Sequence, residues 1–169
     1  MATPLFDASL LPSSLTTTLP SGLTLRPLSS TDYTHSHLSL LSHLTSSPDV
    51  GHSAWSTRFQ ELLSINQIHL TYLCVVIEEA SSNELVGSAT LVVERKFLRS
   101  GGMVGHVEDV VVHPRMQGNK LGVSLLKVLT QLSEDLGCYK TILDCDPKNE
   151  AFYVKCGYEN KGCEMAKYK

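Results

Sequence analysis

The stretch from Val110 to Leu136 limits the fold of this chain more than any other. An apolar extended run, Val110-Val111-Val112, ends at "HPRMQGNKLG", and a leucine-rich pattern begins directly after it. Leu121, Leu125, Leu129, Leu132 and Leu136 recur at spacings of four, four, three and four, which is one buried helical stripe. Gly137 is placed to end that helix in a left-handed turn. The first-turn amides of such a helix have no internal partners, and its dipole adds positive potential. Glycines let an anion approach the backbone, so a pyrophosphate suits the site. A tight strand-to-helix turn that binds nothing has the same grammar. Three residues, not four, separate Gly118 from Gly122, and Val123 follows, so the loop is not a Walker A loop. The dinucleotide fingerprint GxGxxG is absent as well.

The remaining pattern surrounds this unit with strands. "GLTLRPL" (22–28) alternates and reads as a first strand. A helix follows, capped by Ser29 or Ser30, with Asp32 near its positive end and Leu38, Leu41 and Leu44 on its buried stripe. Trp55, Phe59, Leu62 and Leu63 mark a second amphipathic helix, with both aromatics in the core. "IHLTYLCVVIEE" (68–79) and "ELVGSATLVVERKF" (84–97) flank a short polar turn as a hairpin, and "HVEDVVVHP" (106–114) is a third strand. "YKTILDCD" is a strand and "PKNEAFYVKCGY" a short helix, with Asn149 as its cap and Gly157 as its stop. "CEMAKYK" reads as a last strand. Hairpins followed by βαβ units give a mixed α/β sheet with helices on both faces. Residues 1–21, rich in Ser, Thr, Pro and Leu, read as a flexible N-terminal arm, leaving 22–169 as a single domain.

A formal net charge of -3 argues against general nucleic-acid binding. Five cysteines with no CxxC spacing indicate neither a disulfide framework nor a zinc knuckle, which suits reduced thiols in the cytoplasm. The N-terminus lacks the basic region and apolar core of a signal peptide, and no segment is long enough to span a membrane. His106 and His113 are seven apart, on opposite faces of a strand and its exit, so no metal site is expected.

"RMQGNKLGVSLL" resembles the Q/R-x-x-G-x-G/A motif of the GNAT superfamily of acyl-CoA-dependent N-acetyltransferases. Gln117, Lys120 and Gly122 occupy its places, with Lys120 where the general pattern has glycine. The longer runs "GHVEDVVVHPRMQGNKLGVSLLKVL" and "GCYKTILDCDPKNEAFYVKCGY" are similar to one branch, the glucosamine-6-phosphate N-acetyltransferases. This similarity is close over about 105–169 and looser, through "ERKFL", back toward residue 22. The resemblance implies a GNAT-like, mostly antiparallel sheet with splayed central strands. It implies acetyl transfer from acetyl-CoA, as cosubstrate, to the amine of glucosamine 6-phosphate. Transfer would be direct, in a ternary complex, on the way to UDP-N-acetylglucosamine.

The same resemblance assigns residues. Val110, Val111 and Val112 would pair through their main chain with the pantetheine arm. Gly118, Asn119, Lys120, Leu121, Gly122 and Val123 would take the pyrophosphate, and Tyr153, Val154 and Lys155 would complete the cofactor site. Lys120 must point outward for the cofactor to fit. Glu108, counted with Tyr153 and Asp144 as catalytic, and Asp109, contacting hydroxyls, fall near the sugar, on opposite strand faces by alternation, and the Asp144 carbonyl would orient the amine. Tyr153 would serve the departing thiolate while Phe152 anchors in the core. Thr45, Lys96, Phe97, Leu98, Arg99, Val110, Tyr139 and Lys140 would line the sugar phosphate site, with Tyr139 and Lys140 supplied across a homodimer. Two other readings fit the loop: a GNAT that acetylates a protein or another small amine, and a catalytically silent acetyl-CoA-binding module.

Overall fold

The computed structural model describes residues 2–168; Met1 and Lys169 lie outside the described residues. Five strands form one sheet in the order β1-β2-β3-β4-β5: β1 Leu23–Pro27, β2 Tyr72–Glu79, β3 Glu84–Arg95, β4 Met103–Val112 and β5 Cys138–Ile142. The first four are antiparallel neighbours, and β4 and β5 are parallel. This is the mixed, mostly antiparallel α/β sheet expected from the sequence. The helices are α1 Ser13–Thr16, α2 His37–Leu41, α3 His52–Ile68, α4 Leu98–Gly101, α5 Leu121–Asp135 and α6 Glu150–Lys155. Consecutive residues Leu73 to Ile77 of β2 are all buried, so both faces of the sheet are covered. The α3 face contributes Trp55 and Phe59, whose rings stack with centroids 5.6 Å apart.

Helix α5 links β4 to β5 and packs on both. Leu121, Leu125, Leu129 and Leu132 are buried as the periodicity predicts, and Gly137 ends the helix with φ +84°. Gly105 on β4 lies beneath it: a Cβ there would collide with Ser133 Oγ. Ser133 Oγ in turn accepts from Thr141 Oγ1 on β5 at 2.8 Å, pinning helix and strand together.

Several expectations need correction. The N-terminal segment is docked. Leu5 and Phe6 are core residues, Leu5 N donates to Leu28 O at 2.8 Å, and Ser30 N donates to Thr3 O at 2.9 Å. Buried Asn66 adds a bond from its Nδ2 to Leu5 O at 3.1 Å. The helix expected after Ser29 is broken in two by Ser36 in the left-handed region, φ 66°. Its hydroxyl-rich sequence competes for backbone groups, as in Thr34 Oγ1 to Thr31 O at 2.8 Å and Ser42 Oγ to Ser39 O at 2.6 Å. The buried positions there are His37 and Leu40, while Leu44 is exposed. Asp32 does stand in the first turn of the 3-10 helix Asp32–His35, but it has a second role. Fully buried, it takes both guanidinium nitrogens of Arg26 at 2.8 Å and the Ser29 amide at 2.7 Å. Helix α3 runs through Ile68, which delays β2 to Tyr72. "CEMAKYK" forms no strand among its described residues. Glu, Ala and Lys are poor strand formers, and the segment stays exposed.

His37 gives this fold a pH dependence. Trp55 Nε1 donates to its Nδ1 at 3.1 Å, so the neutral ring carries its proton on Nε2, a buried atom without a partner. Burial, only partly offset by Asp32, lowers the pKa from 6.5 to about 4. The unfolded chain therefore takes up a proton near pH 6.5 that the native chain refuses until about pH 4. Stability is full above the higher value and falls by roughly 3 kcal/mol as pH drops through the interval. Urea melts from pH 7 to 4 should show this loss, and His37→Gln, which keeps an acceptor for Trp55, should flatten it. A parallel decline in both proteins would assign the effect to carboxylates.

Candidate active site

The site begins where β4 and β5 stop pairing. The parallel ladder ends at His106 with Ile142, yet β4 continues to Val112. Along Val107–Val112 the β5 side of β4 has no strand partner among the described residues, so main-chain groups face a cleft. On its other side β4 carries a β-bulge. Thr90 pairs with Glu108 and Ser88 with Val111, so Asp109 and Val110 together oppose Ala89. Asp109 adopts φ 53° to achieve this. The bulge interrupts the alternation expected for Glu108 and Asp109, and both side chains are exposed. Partial desolvation first, then the charge of Asp109, raises the Glu108 pKa. His106 opposes the rise, and Asp144 and Glu164 add to it. An acidic cluster from β4 and the segment after β5 therefore stands at the mouth of the cleft.

The glycine loop closes one end. Pro114–Met116 form a 3-10 turn, and Arg115 ties it to the β2–β3 hairpin by ion pairs to Glu79 at 2.9 Å and Glu84 at 3.3 Å. Gly118 follows with φ +87°, and a Cβ on it would meet nothing within 4 Å. Lys120 is left-handed, φ 60°, exposed, and caps no α5 amide with its side chain. The α5 N-terminus thus keeps its donors and dipole for an anion beside open space. The Cβ position of Gly122 is 3.2 Å from Phe152 Cζ and 3.9 Å from Val112 Cγ2. Its missing side chain admits α6.

Helix α6 closes the other end. Asn149 makes no side-chain cap. Asp146 does so one turn earlier, accepting from Lys148 N at 3.0 Å, because Pro147 starts a 3-10 turn there. Phe152 reaches α5 at Gly122, and the half-buried Tyr153 ring lies 5.0 Å from it, edge-on. Burial, then Cys145, Cys156 and Tyr158, raises the Tyr153 pKa. Tyr158 holds the end of α6 to α5 by a 2.9 Å bond between its hydroxyl and Thr130 Oγ1. Val154 and Lys155 are exposed.

The cations gather at the far end of β3 and β4. Lys96 N donates to Gly102 O at 3.0 Å across the β3–β4 turn. Within α4, Arg99 and Ser100 are both left-handed, φ 56° and 58°. Such strain costs energy and clusters at functional loops. Arg99 Cζ lies 5.7 Å from the Tyr139 ring centroid, and Lys140 Nζ lies 6.0 Å from it. Phe97 and Leu98 beside them are exposed. Lys96 pairs instead with Glu94, which also holds His106. Thr45 lies exposed beyond the end of α2, with its amide bonded to Leu41 O at 3.3 Å and no bond to this cluster. Glu94, His106 and the Arg115 clamp were not singled out from the sequence as site residues. The signal for Glu94 was its place two residues before Lys96 on one strand face. No group of three or more His, Cys, Asp or Glu suited to a metal occurs among the described residues.

Residues 38–158 match the acetyltransferase (GNAT) family. A probable glucosamine 6-phosphate N-acetyltransferase 2 of Oryza sativa subsp. japonica is 40% identical over 146 residues, covering 85% of this chain and 86% of that protein. The glucosamine 6-phosphate N-acetyltransferase of Candida albicans is 40% identical over 147 residues, covering 87% and 96%. The crystal structure of glucosamine-6-phosphate N-acetyltransferase from Arabidopsis thaliana superposes with a TM-score of 0.82 at 37% identity, covering 86% of this chain and 97% of that one. With a matched family domain over most of its length and this level of identity to its relatives, the chain belongs to the glucosamine-6-phosphate N-acetyltransferase branch of the GNAT acetyltransferases.

Proposed function

We propose that this protein transfers the acetyl group of acetyl-CoA to the amine of glucosamine 6-phosphate, by direct transfer in a ternary complex. The observation that carries the reading is the unpaired edge of β4 running toward an uncapped α5 N-terminus. An extended arm can add to that edge as a strand, and a pyrophosphate can end on the α5 amides. The thioester supplies an activated carbonyl and a sulfur leaving group. A main-chain N–H freed at the Asp109–Val110 bulge would stabilise the oxyanion. The main chain of Val110, Val111 and Val112 holds the arm, and the loop from Gly118 to Val123 holds the anion. Residues 153–155 flank the thioester end.

The sugar would lie against Glu108, Asp109 and Asp144, whose acidic field suits hydroxyls and an amine. The Asp144 carbonyl would orient that amine for attack. Its phosphate needs cations, which Lys96 and Arg99 of one chain would provide beside the 97–98 turn, together with Tyr139 and Lys140 of a second copy. Exposed Phe97, Leu98 and Tyr139 leave an apolar patch around these charges. It suits a second copy, so the working enzyme is a homodimer whose phosphate site is completed across the interface. Sedimentation should give twice the chain mass. Mixing Lys140→Ala with Tyr153→Phe chains under proven subunit exchange should restore activity; a monomer, or no recovery, would count against sharing. No helix among the described residues is long and apolar enough to cross a membrane. A cytoplasmic role in making UDP-N-acetylglucosamine fits the proposed product.

The substrate is tested by thiol release across a panel of amino sugars, each with and without its phosphate, alongside peptide amines. Glucosamine 6-phosphate should be the best acceptor. Comparable rates with unphosphorylated glucosamine or with peptides would reject the assignment, and no thiol release at all would leave a silent binding module.

The role of Tyr153 is the second test. Its pKa, raised by burial, keeps the phenol protonated at neutral pH, so its hydroxyl can donate to the thiolate as the C–S bond breaks. Tyr153→Phe should lower kcat by about two orders of magnitude, with little change in acetyl-CoA affinity or melting temperature. A folded variant with near-normal kcat, where chemistry limits the rate, would show the hydroxyl to be idle.

A further inference from the structure

Glu94 has no part in the reaction described above, yet both of its carboxylate oxygens are committed at the cation end of the site. Oε1 accepts from Lys96 Nζ at 2.6 Å, and Oε2 lies 2.8 Å from His106 Nε2. The Lys96 and His106 contacts hold the Glu94 carboxyl below its usual pKa, so it is ionised at neutral pH. A carboxylate only accepts, so His106 carries its proton on Nε2. The contacts run from Glu94 on β3 to Lys96 just past its end and across to β4, where His106 pairs with Val92, next but one to Glu94. One carboxylate therefore fastens a lysine at the end of one strand to a histidine on the next.

Stability does not explain the arrangement. The Glu94 side chain is 43% exposed and that of Lys96 26%, and ion pairs at such exposure contribute little. Order does explain it. A free lysine swings a point charge on a four-carbon stem and loses much rotamer freedom when it binds an anion. Lys96, already tethered, has lost that freedom in advance, and one N–H spent on Glu94 leaves two donors for a phosphate.

We propose that Glu94 and His106 are positioning residues that hold the Lys96 ammonium in place for the phosphate of the sugar substrate. This rests on the substrate reading given above. His106 acts through Glu94, and Glu94 acts through Lys96; neither needs to touch the sugar.

The test is steady-state kinetics at saturating acetyl-CoA with glucosamine 6-phosphate and with glucosamine. Glu94→Ala should raise KM for the phosphorylated sugar about tenfold, keep kcat within about twofold, and lower the preference for the phosphorylated sugar by about the same tenfold. His106→Ala should move the preference in the same direction by a smaller factor. The double variant Glu94→Ala/Lys96→Ala should be no worse than Lys96→Ala alone, because both remove one contact. Glu94→Gln, which still accepts from Lys96, should recover most of the lost preference and guards against misfolding of the alanine variant. Equal losses with both sugars, or penalties that multiply in the double variant, would overturn the proposal. A Lys96→Ala enzyme with undiminished preference would also overturn it while leaving the substrate reading standing. A parent enzyme that does not distinguish the two sugars would reject the substrate reading and this proposal together.

Discussion

The parting of β4 from β5 beyond His106 is the constraint on which the rest of the site depends. A parallel partner along the whole of β4 would use up the main-chain groups of Val107–Val112. Two features keep the partner away. Helix α5 sits directly on Gly105, and its Ser133 binds Thr141, which fixes β5 close to the helix near the end of the ladder. The chain then leaves β5 at Ile142, turns through Pro147 and brings Phe152 back onto Gly122. The cleft is therefore a wedge with β4 on one side, α6 on the other and the α5 N-terminus at its base. On its β3 side the same stretch of β4 is interrupted by the bulge at Asp109.

Polar networks hold the surrounding parts. A buried ion pair is costly unless every lone pair is used, and Asp32 meets that condition with Arg26 and the Ser29 amide. Arg26 also reaches Glu78 on β2 at 2.6 Å, so the segment after β1 is keyed to the sheet. Asn66 does the same at the joint between α3 and β2, accepting from Thr71 N and Tyr72 N and donating to Leu5 O and Tyr72 O. Arg115 fastens the loop before α5 to the β2–β3 hairpin. These interactions link segments far apart in sequence and set where each one stops.

That distance explains what the sequence disclosed. The leucine stripe of α5, the hairpin of β2 and β3, and Gly137 as a stop were legible because each is a local pattern. The docking of Leu5 and Phe6 was not, since the prolines around them say only that the segment is irregular. The break at Ser36 was hidden because hydroxyl side chains offer the backbone an alternative that periodicity does not weigh. In the site, Lys96, Arg99 and Lys140 were visible as charges and through resemblance. The contacts of Lys96 with Glu94 and His106 depend on strand register, which no single stretch of sequence reveals. The packing of Phe152 on Gly122 was hidden for the same reason, since it comes from a helix some thirty residues away.

The electrostatics of the cleft bear on how the proposed reaction moves its proton. Forming the amide removes a proton from nitrogen, and releasing the thiol requires one on sulfur. A thiol has a reference pKa of about 8.5 and a phenol about 10. Burial raises Tyr153 further, which makes complete transfer from its hydroxyl to a thiolate less favourable. The same shift keeps the hydroxyl protonated at every neutral pH, so it is always a donor. In the proposed reaction Tyr153 would therefore stabilise the developing thiolate by a hydrogen bond, with the nitrogen's proton reaching sulfur afterwards. The acidic cluster at Glu108, Asp109 and Asp144 acts in the other direction. Its field favours a charged ammonium, and partial burial, then the neighbouring Asp109 charge, raises the Glu108 pKa within that field. Because the amine of glucosamine is only weakly basic, a large fraction can remain neutral for attack, so the proposed reaction would depend more on the donor at sulfur than on a base at nitrogen.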